Sequence, residues 1–343
     1  MSAFPEKILV RGVNWLGDAV MSTPALQRLR EAAPNSEITL LTHAKLADLF
    51  VHYPHVQKLI TFEQDEGAFS VARRLREERF EMAFVLPNSI RSALETFLAR
   101  IQQRVGYGRR WLLTRSLPSP PNRTRKRSTA EIKSLIAQNS GRELFPLDAH
   151  HVHNYLRLIP APWIAPSLHV GDDEIKEARK RLPNQGLWLG LNPGAEYGPA
   201  KRWPAERFID AANRVHKKLN CGWILFGGPT DAPLTAQIAA ACAGPVANLA
   251  GKTTLRDLCA FFRCCRAVVT NDTGPMHVAA ALGVPVIVPF GSTAPELTGP
   301  PAGAIVGNVP CAPCFRRECP IDFRCMRSIE VDQVVQETLK VCV

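Results

Sequence analysis

The run Asn271–Pro300, NDTGPMHVAAALGVPVIVPFGSTAPELTGP, holds an acid, a hydroxyl, a glycine and a histidine within a turn and a half of one expected helix. Ala267–Thr270 is the apolar, β-branched end of a strand. Asp272 and Thr273 are good N-cap types, and Pro275 fits a first helical turn. Met276–Leu282 then carries the helix, and Gly283 ends it. Val284–Phe290 follows as a buried strand. A helix that starts directly after a parallel strand points its free N–H groups and positive dipole end at the carboxyl edge of the sheet. Asp272, Thr273, Gly274 and His277 therefore form a polar set in a place suited to an anionic ligand.

Three other loops carry comparable chemistry. The first expected strand ends at Arg11-Gly12 and leads into Val13-Asn14-Trp15-Leu16-Gly17-Asp18. This is neither the dinucleotide G-x-G-x-x-G nor a Walker loop. Asp18 is either a helix N-cap or a general base. A second loop, Leu191-Asn192-Pro193-Gly194 through Lys201-Arg202-Trp203-Pro204, places two adjacent cations after a strand. Lys201 and Arg202 are either solvated or a grip for a diphosphate. Phe226-Gly227-Gly228-Pro229-Thr230-Asp231 is a third strand-end loop, with backbone access suited to a nucleoside. Near the C-terminus, Cys311, Cys314, Cys319 and Cys325 follow C-x2-C-x4-C-x5-C spacing among prolines. They are either zinc or iron–sulfur ligands or reduced thiols in a compact loop. Cys221, Cys242, Cys259, Cys264 and Cys265 lie in apolar contexts and are expected as buried thiols.

These loops need strands and helices to hold them. Lys7–Arg11, Glu37–Thr42, Val56–Phe62, Met82–Leu86 and Arg104–Tyr107 are predicted strands. Helical patterns at Thr23–Ala32, Ala44–Phe50, Ala68–Glu78 and Ser89–Ala99 alternate with them. His150–Leu158 is predicted helical, and the proline-rich Ile159–Pro166 a linker. A second alternation follows. Its strands are Trp188–Leu191, Trp223–Phe226, Val246–Leu249, Ala267–Thr270 and Val284–Phe290. Its helices are near Pro204–Leu219, Ala232–Ala243, Thr254–Phe262 and Gly274–Leu282. The expected architecture is α/β: two Rossmann-like doubly wound domains, residues 1–160 and 161–330, facing a central cleft, with a closing helix at 331–343. Ligands belong at the carboxyl ends of such sheets.

Composition narrows the partners. The chain has 343 residues, 46% of them hydrophobic, and a net charge of +11. It has no apolar run of about 18 residues, so no bilayer span is expected. MSAFPEKILVRG lacks the order of a signal peptide, so a cytoplasmic location is expected. From Thr96 to Ala130 there is no acid, yet there are Arg100, Arg104, Arg109, Arg110, Arg115, Arg123, Arg125, Lys126 and Arg127. That block implies an acidic partner, or a solvated and partly disordered loop around Ser116–Ser128.

Several of these segments together resemble a known family. Gly17-Asp18-Ala19-Val20 with Thr23-Pro24-Ala25, the loop Pro193-Gly194-Ala195-Glu196 through Lys201-Arg202-Trp203-Pro204, Asn248-Leu249-Ala250-Gly251, and Asn271-Asp272-Thr273-Gly274 through His277-Val278-Ala279-Ala280-Ala281 resemble the ADP-heptose:lipopolysaccharide heptosyltransferases of glycosyltransferase family 9. The match runs in order over nearly the whole chain. The Pro193–Pro204 loop and Leu86-Pro87-Asn88-Ser89 are most like the heptosyltransferase II branch. The resemblance implies a GT-B fold, inverting transfer from ADP-heptose, and no catalytic metal or other cofactor. It implies Asp18 as general base and Lys201 as the donor-phosphate contact. Gly194, Arg202, Asp272, Thr273, Gly274 and His277 complete the expected donor pocket, with Asp231 at the nucleoside. Asn88, Ser89, Arg91, Arg109 and Arg110 are the expected acceptor contacts. The implied acceptor is an anionic, Kdo-containing lipid A core at the inner face of the cytoplasmic membrane. The insert near Ser116–Ser128 and the four-cysteine loop depart from this pattern. Two other functions compete: a different nucleotide-sugar transferase or epimerase on the same fold, and, from charge alone, a nucleic-acid-binding protein. No recognition motif supports the latter.

Overall fold

Long apolar strand segments, buried on both faces, favour parallel sheets covered by helices. The computed structural model describes residues 4–121, 124–139 and 141–342, and it shows two such sheets. The first contains β1 (Lys7–Arg11), β2 (Glu37–His43), β3 (Lys58–Phe62), β4 (Met82–Val85), β5 (Gln103–Tyr107) and β6 (Arg115–Leu117). Their order is β3-β2-β1-β4-β5-β6, every pair parallel. The second contains β7 (Trp188–Asn192), β8 (Gly222–Leu225), β9 (Val246–Asn248), β10 (Val268–Thr270), β11 (Val286–Phe290) and β12 (Ala304–Val306). Its order, β12-β11-β10-β7-β8-β9, repeats the same winding, again all parallel. In each sheet the winding reverses once, between β1 and β4 and between β7 and β10. Ligands of doubly wound sheets bind outside the strand carboxyl ends at such a reversal. Among the described residues no helix is long and apolar enough to cross a membrane.

The core of the first sheet contains an ion pair. Arg11, at the end of β1, is buried, and its Nε donates to Glu95 Oε2 at 2.8 Å. Its Nη1 donates to Gly12 O at 2.6 Å and Asn14 Oδ1 at 3.0 Å. The guanidinium stacks 4.3 Å from the Phe62 ring. Burial pulls the Arg11 pKa below its ordinary value, and Glu95 opposes that shift. This network fixes where the chain leaves β1. In the second unit, helix Ala205–Leu219 buries Phe208, Ala211, Ala212 and Val215 at helical spacing and ends at Asn220 with φ 49°. Its core also takes Trp203, Trp223, and Val334 and Val335 of the terminal helix Val331–Cys342.

The chain divides differently from the expected break near residue 160. One unit is Met1–Asn122 with His151–His169; the other is Arg123–His150 with Val170–Val343. Specific contacts hold each crossing segment. Helix Thr129–Ala137 buries Ile132 against Cys311 and Cys314. Arg142 forms a bidentate pair with Glu296 at 2.8 and 2.9 Å. The expected linker belongs to the first unit, where Ser167 N donates to Thr23 Oγ1 at 3.1 Å. Much of the basic stretch is ordered structure: β6 pairs with β5, and Ser128 caps the following helix in a reciprocal capping box with Glu131.

Glu95→Ala should strand the buried Arg11 charge and cost about 3–5 kcal/mol of unfolding free energy. Urea titration followed by circular dichroism checks this. A loss below about 1 kcal/mol would mean that the pair does not anchor the first sheet.

Candidate active site

At the carboxyl edge of the second sheet two asparagines tie neighbouring strand ends together. Asn192 closes β7, and its Nδ2 donates to Thr270 Oγ1 at 3.0 Å and Thr273 Oγ1 at 3.1 Å. Asn271 follows β10 and is fully buried. Its Nδ2 donates to Pro193 O at 2.7 Å, and its Oδ1 accepts from Trp203 N at 3.0 Å. Both ends of the loop 193–203 are thus pinned to one side chain. Within it, Gly198 sits at φ 147°, and an added Cβ would meet Arg317 O at 2.5 Å. A short 3-10 turn, Pro199–Lys201, then presents Lys201.

Lys201 Nζ donates to Asp272 Oδ2 at 2.6 Å and to Asp272 O at 3.3 Å. Thr293 Oγ1 donates to the same carboxylate oxygen at 2.7 Å. Burial alone would raise the Asp272 pKa. The Lys201 charge and hydrogen bond, then Thr293 and His277, outweigh it and hold the carboxyl below its ordinary value. Helix Gly274–Ala281 starts beside this pair. Thr273 is its N-cap; its side chain makes no capping hydrogen bond, and its hydroxyl accepts from Asn192. A cation and a helix N-terminus at one sheet edge can together hold a diphosphate. Asp231 stands behind Gly194, where a Cβ would collide with its carboxylate. Arg202 Nη2 lies 3.7 Å from Asp231 Oδ1.

The first sheet presents its own set. Helix Leu16–Met21 has Trp15 as N-cap, so Asp18 lies in the first turn and is not the cap. Its Oδ1 accepts from Tyr155 Oη at 2.9 Å. Burial, then the Asp18 carboxylate, drive the Tyr155 pKa far above its ordinary value, so the phenol remains a donor. A half-buried carboxylate held by one phenol can accept a proton from an alcohol.

Residues 68–323 match the model of glycosyltransferase family 9 (heptosyltransferase). The chain belongs to glycosyltransferase family 9. It is 32% identical over 312 residues to lipooligosaccharide heptosyltransferase 2 of Haemophilus influenzae, covering 85% of each chain. Lipopolysaccharide heptosyltransferase 2 of Salmonella typhimurium is 32% identical over 311 residues, covering 86% of this chain and 85% of that one. The structure of E. coli ADP-heptose lps heptosyltransferase II superposes with a TM-score of 0.78 at 27% identity, over 98% of each chain. This family 9 chain is therefore a glycosyltransferase of the GT-B type fold.

In this glycosyltransferase the expected donor residues Gly194, Lys201, Arg202, Asp231, Asp272, Thr273, Gly274 and His277 all lie in the second unit. They occupy the strand-end loops and the first helical turn of its sheet. The expected acceptor residues lie in the first unit, with Asp18, and several have internal duties. Ser89 caps helix Ile90–Leu98. Arg91 Nε donates to Glu95 Oε1 at 3.0 Å, and its Nη2 to Glu66 O at 2.5 Å. Its first role is therefore to complete the Arg11–Glu95 network. Asn88 Nδ2 donates to Ser119 Oγ at 3.1 Å. Arg109 adopts φ 46° with its Nε buried and without a hydrogen-bond partner among the described residues, and Arg110 is exposed. Sequence reasoning missed Tyr155, Asn192 and Thr293. Asn192 had a visible signal, an amide at a strand end before Pro-Gly; the other two had none.

Since the Asp272 pKa is below its ordinary 3.8, the stability it confers is full above that pH and is lost as pH falls through the folded value. Unfolding free energies of the parent and Asp272→Asn should differ near neutral pH and converge in acid. A gap that stays constant to low pH contradicts the assignment.

Proposed function

We propose that the chain transfers heptose, with inversion, from ADP-heptose to the heptosyl-Kdo2-lipid A inner core of lipopolysaccharide. The observation that carries this reading is the Lys201–Asp272 pair beside the N-terminus of helix Gly274–Ala281, in a family 9 chain. Lys201 and the amides opening helix Gly274–Ala281 take the donor diphosphate, with Arg202 and His277 at its flanks. Asp231 and the backbone around Gly194 take the nucleoside. Asp18 removes the proton of the acceptor hydroxyl as its oxygen attacks the anomeric carbon. The bond from that carbon to phosphate oxygen breaks, and ADP leaves with the electron pair. Fixed cations and the helix dipole stabilise the departing charge, which is the work a metal does elsewhere.

Acceptor recognition falls to Asn88, Arg109 and Arg110. Trp15 and Trp111 are exposed at the same strand-end loops of the first unit. Aromatic side chains among cations suit an anionic amphiphile, so the protein works as a peripheral enzyme at the inner face of the cytoplasmic membrane. The basic stretch favours no nucleic-acid reading. Arg104 is spent on Leu112 O, Arg125 on Glu131 and Arg127 on Glu143.

Asp18→Asn should lower transfer about 10²–10⁴-fold while ADP affinity and melting temperature stay unchanged, because Asp18 is not the cap. Near-normal turnover would end its role as base. Brief EDTA treatment should leave the rate of transfer intact, and added magnesium or manganese should not raise it. A rate that disappears with EDTA and returns with either ion contradicts charge stabilisation by Lys201 and the helix.

A further inference from the structure

Cys311, Cys314, Cys319 and Cys325 have no part in the transfer chemistry, yet the fold brings all of them to one place. They line a single cavity of about 20 Å³ together with Ser292, Asp322 and Arg324. That space suits one water-sized occupant and is far too small for an iron–sulfur cluster. The Ser292 hydroxyl is buried there with no hydrogen-bond partner among the described residues. A water would satisfy that hydroxyl, but it gives no reason for four sulfurs. The backbone N–H of Phe323 donates to Cys319 Sγ at 3.2 Å, a contact that strengthens when the sulfur is a thiolate. Phe315, directly after Cys314, and Phe323, two residues before Cys325, both adopt φ 56°. Bulky residues rarely enter that region unless their surroundings impose it. Arg324 lies within electrostatic reach of Cys311 and Cys319, and Arg127 of Cys314.

We propose that these four cysteines bind a single thiophilic ion, zinc or iron, as a structural clamp behind the donor loop. Among the described residues no three such groups already stand in a coordination arrangement. The ion therefore draws the sulfurs inward, and each ligating thiol releases its proton to solvent. The clamped segment touches the donor site directly. Tyr197 Oη donates to Phe315 O at 2.9 Å, Arg317 Nε to Tyr197 O at 2.5 Å, and Ala200 N to Arg317 O at 3.0 Å. On its other side, Phe315 N donates to Ser292 O at 2.8 Å, next to the Thr293 that holds Asp272. The ion thus sets the loop carrying Lys201 and takes no part in bond breaking.

The test is elemental analysis of the full chain, purified reduced and without added metal, paired with cobalt substitution. About one zinc or iron per chain is expected. Metal-free protein given Co²⁺ should show thiolate-to-cobalt charge-transfer bands and tetrahedral ligand-field bands. Cys319→Ser, at the least buried of the four positions, should lose the ion and melt at lower temperature, while Cys242→Ser should keep it. Metal far below one per chain together with no cobalt–thiolate band overturns the proposal. Acid-labile sulfide, or an ion kept by a folded Cys319→Ser, overturns the mononuclear four-sulfur site. If Cys319→Ser fails to fold, the cobalt spectrum of the unaltered chain still decides.

Discussion

A buried carboxylate must be compensated, and at Asp272 that requirement organises the second sheet edge. Asp272 is only 3% exposed, so Lys201 and Thr293 must both reach it. Lys201 can do so only if loop 193–203 is folded back over β10, which the side chain of Asn271 enforces from both ends. Thr293 can do so only if the chain leaving β11 turns at Gly291–Ser292. A single buried charge thereby ties together three strand ends. The same pair leaves a cation at the start of a helix, where a diphosphate has most to gain.

The two sheets solve one geometric problem with different chemistry. In each, the first strand of the winding ends in a buried polar residue at the reversal point: Arg11 after β1 and Asn192 after β7. Arg11 uses Glu95, Asn14 and the Phe62 face; Asn192 uses the hydroxyls of Thr270 and Thr273. Arg11 bonds the loop that follows it and Asn192 the turn after β10, and these segments carry Asp18 and Asp272. Polar residues this deep are costly unless fully paired.

Much of this was legible in the sequence, and the exceptions have physical causes. The long strands and amphipathic helices announced themselves, down to helix Thr23–Ala32 and the strand–turn–helix at 268–281. The edge strands β6 and β12 did not: Arg115–Leu117 has no apolar run, and Ala304–Val306 lies among glycines and prolines. Helix Asp172–Lys180 buries only Ala178, so it has no apolar stripe to detect. The crossing of segments 123–150 and 151–169 between units rests on long-range contacts such as Arg142–Glu296 that no local pattern encodes. Asp272, Thr273, Gly274 and His277 stood out as candidates because one strand-to-helix turn gathers them. Asp18 was found as a candidate, but its partner Tyr155 lies 137 residues away. Arg91 was expected as an acceptor contact, whereas the buried Glu95 takes its Nε.

The central claim is that the Lys201 ammonium, and not the Lys201–Asp272 pair as such, receives the donor diphosphate. ADP titration calorimetry on Lys201→Met and Asp272→Asn tests it most directly, with thermal melts to show that each variant is folded. Loss of one charge-assisted phosphate contact in Lys201→Met should weaken ADP by about 1.5–3 kcal/mol, roughly ten- to hundredfold in Kd. Asp272→Asn keeps the cation and should bind ADP at least as well as the parent. Unchanged ADP affinity in a folded Lys201→Met, or an equal loss in both variants, would contradict the account.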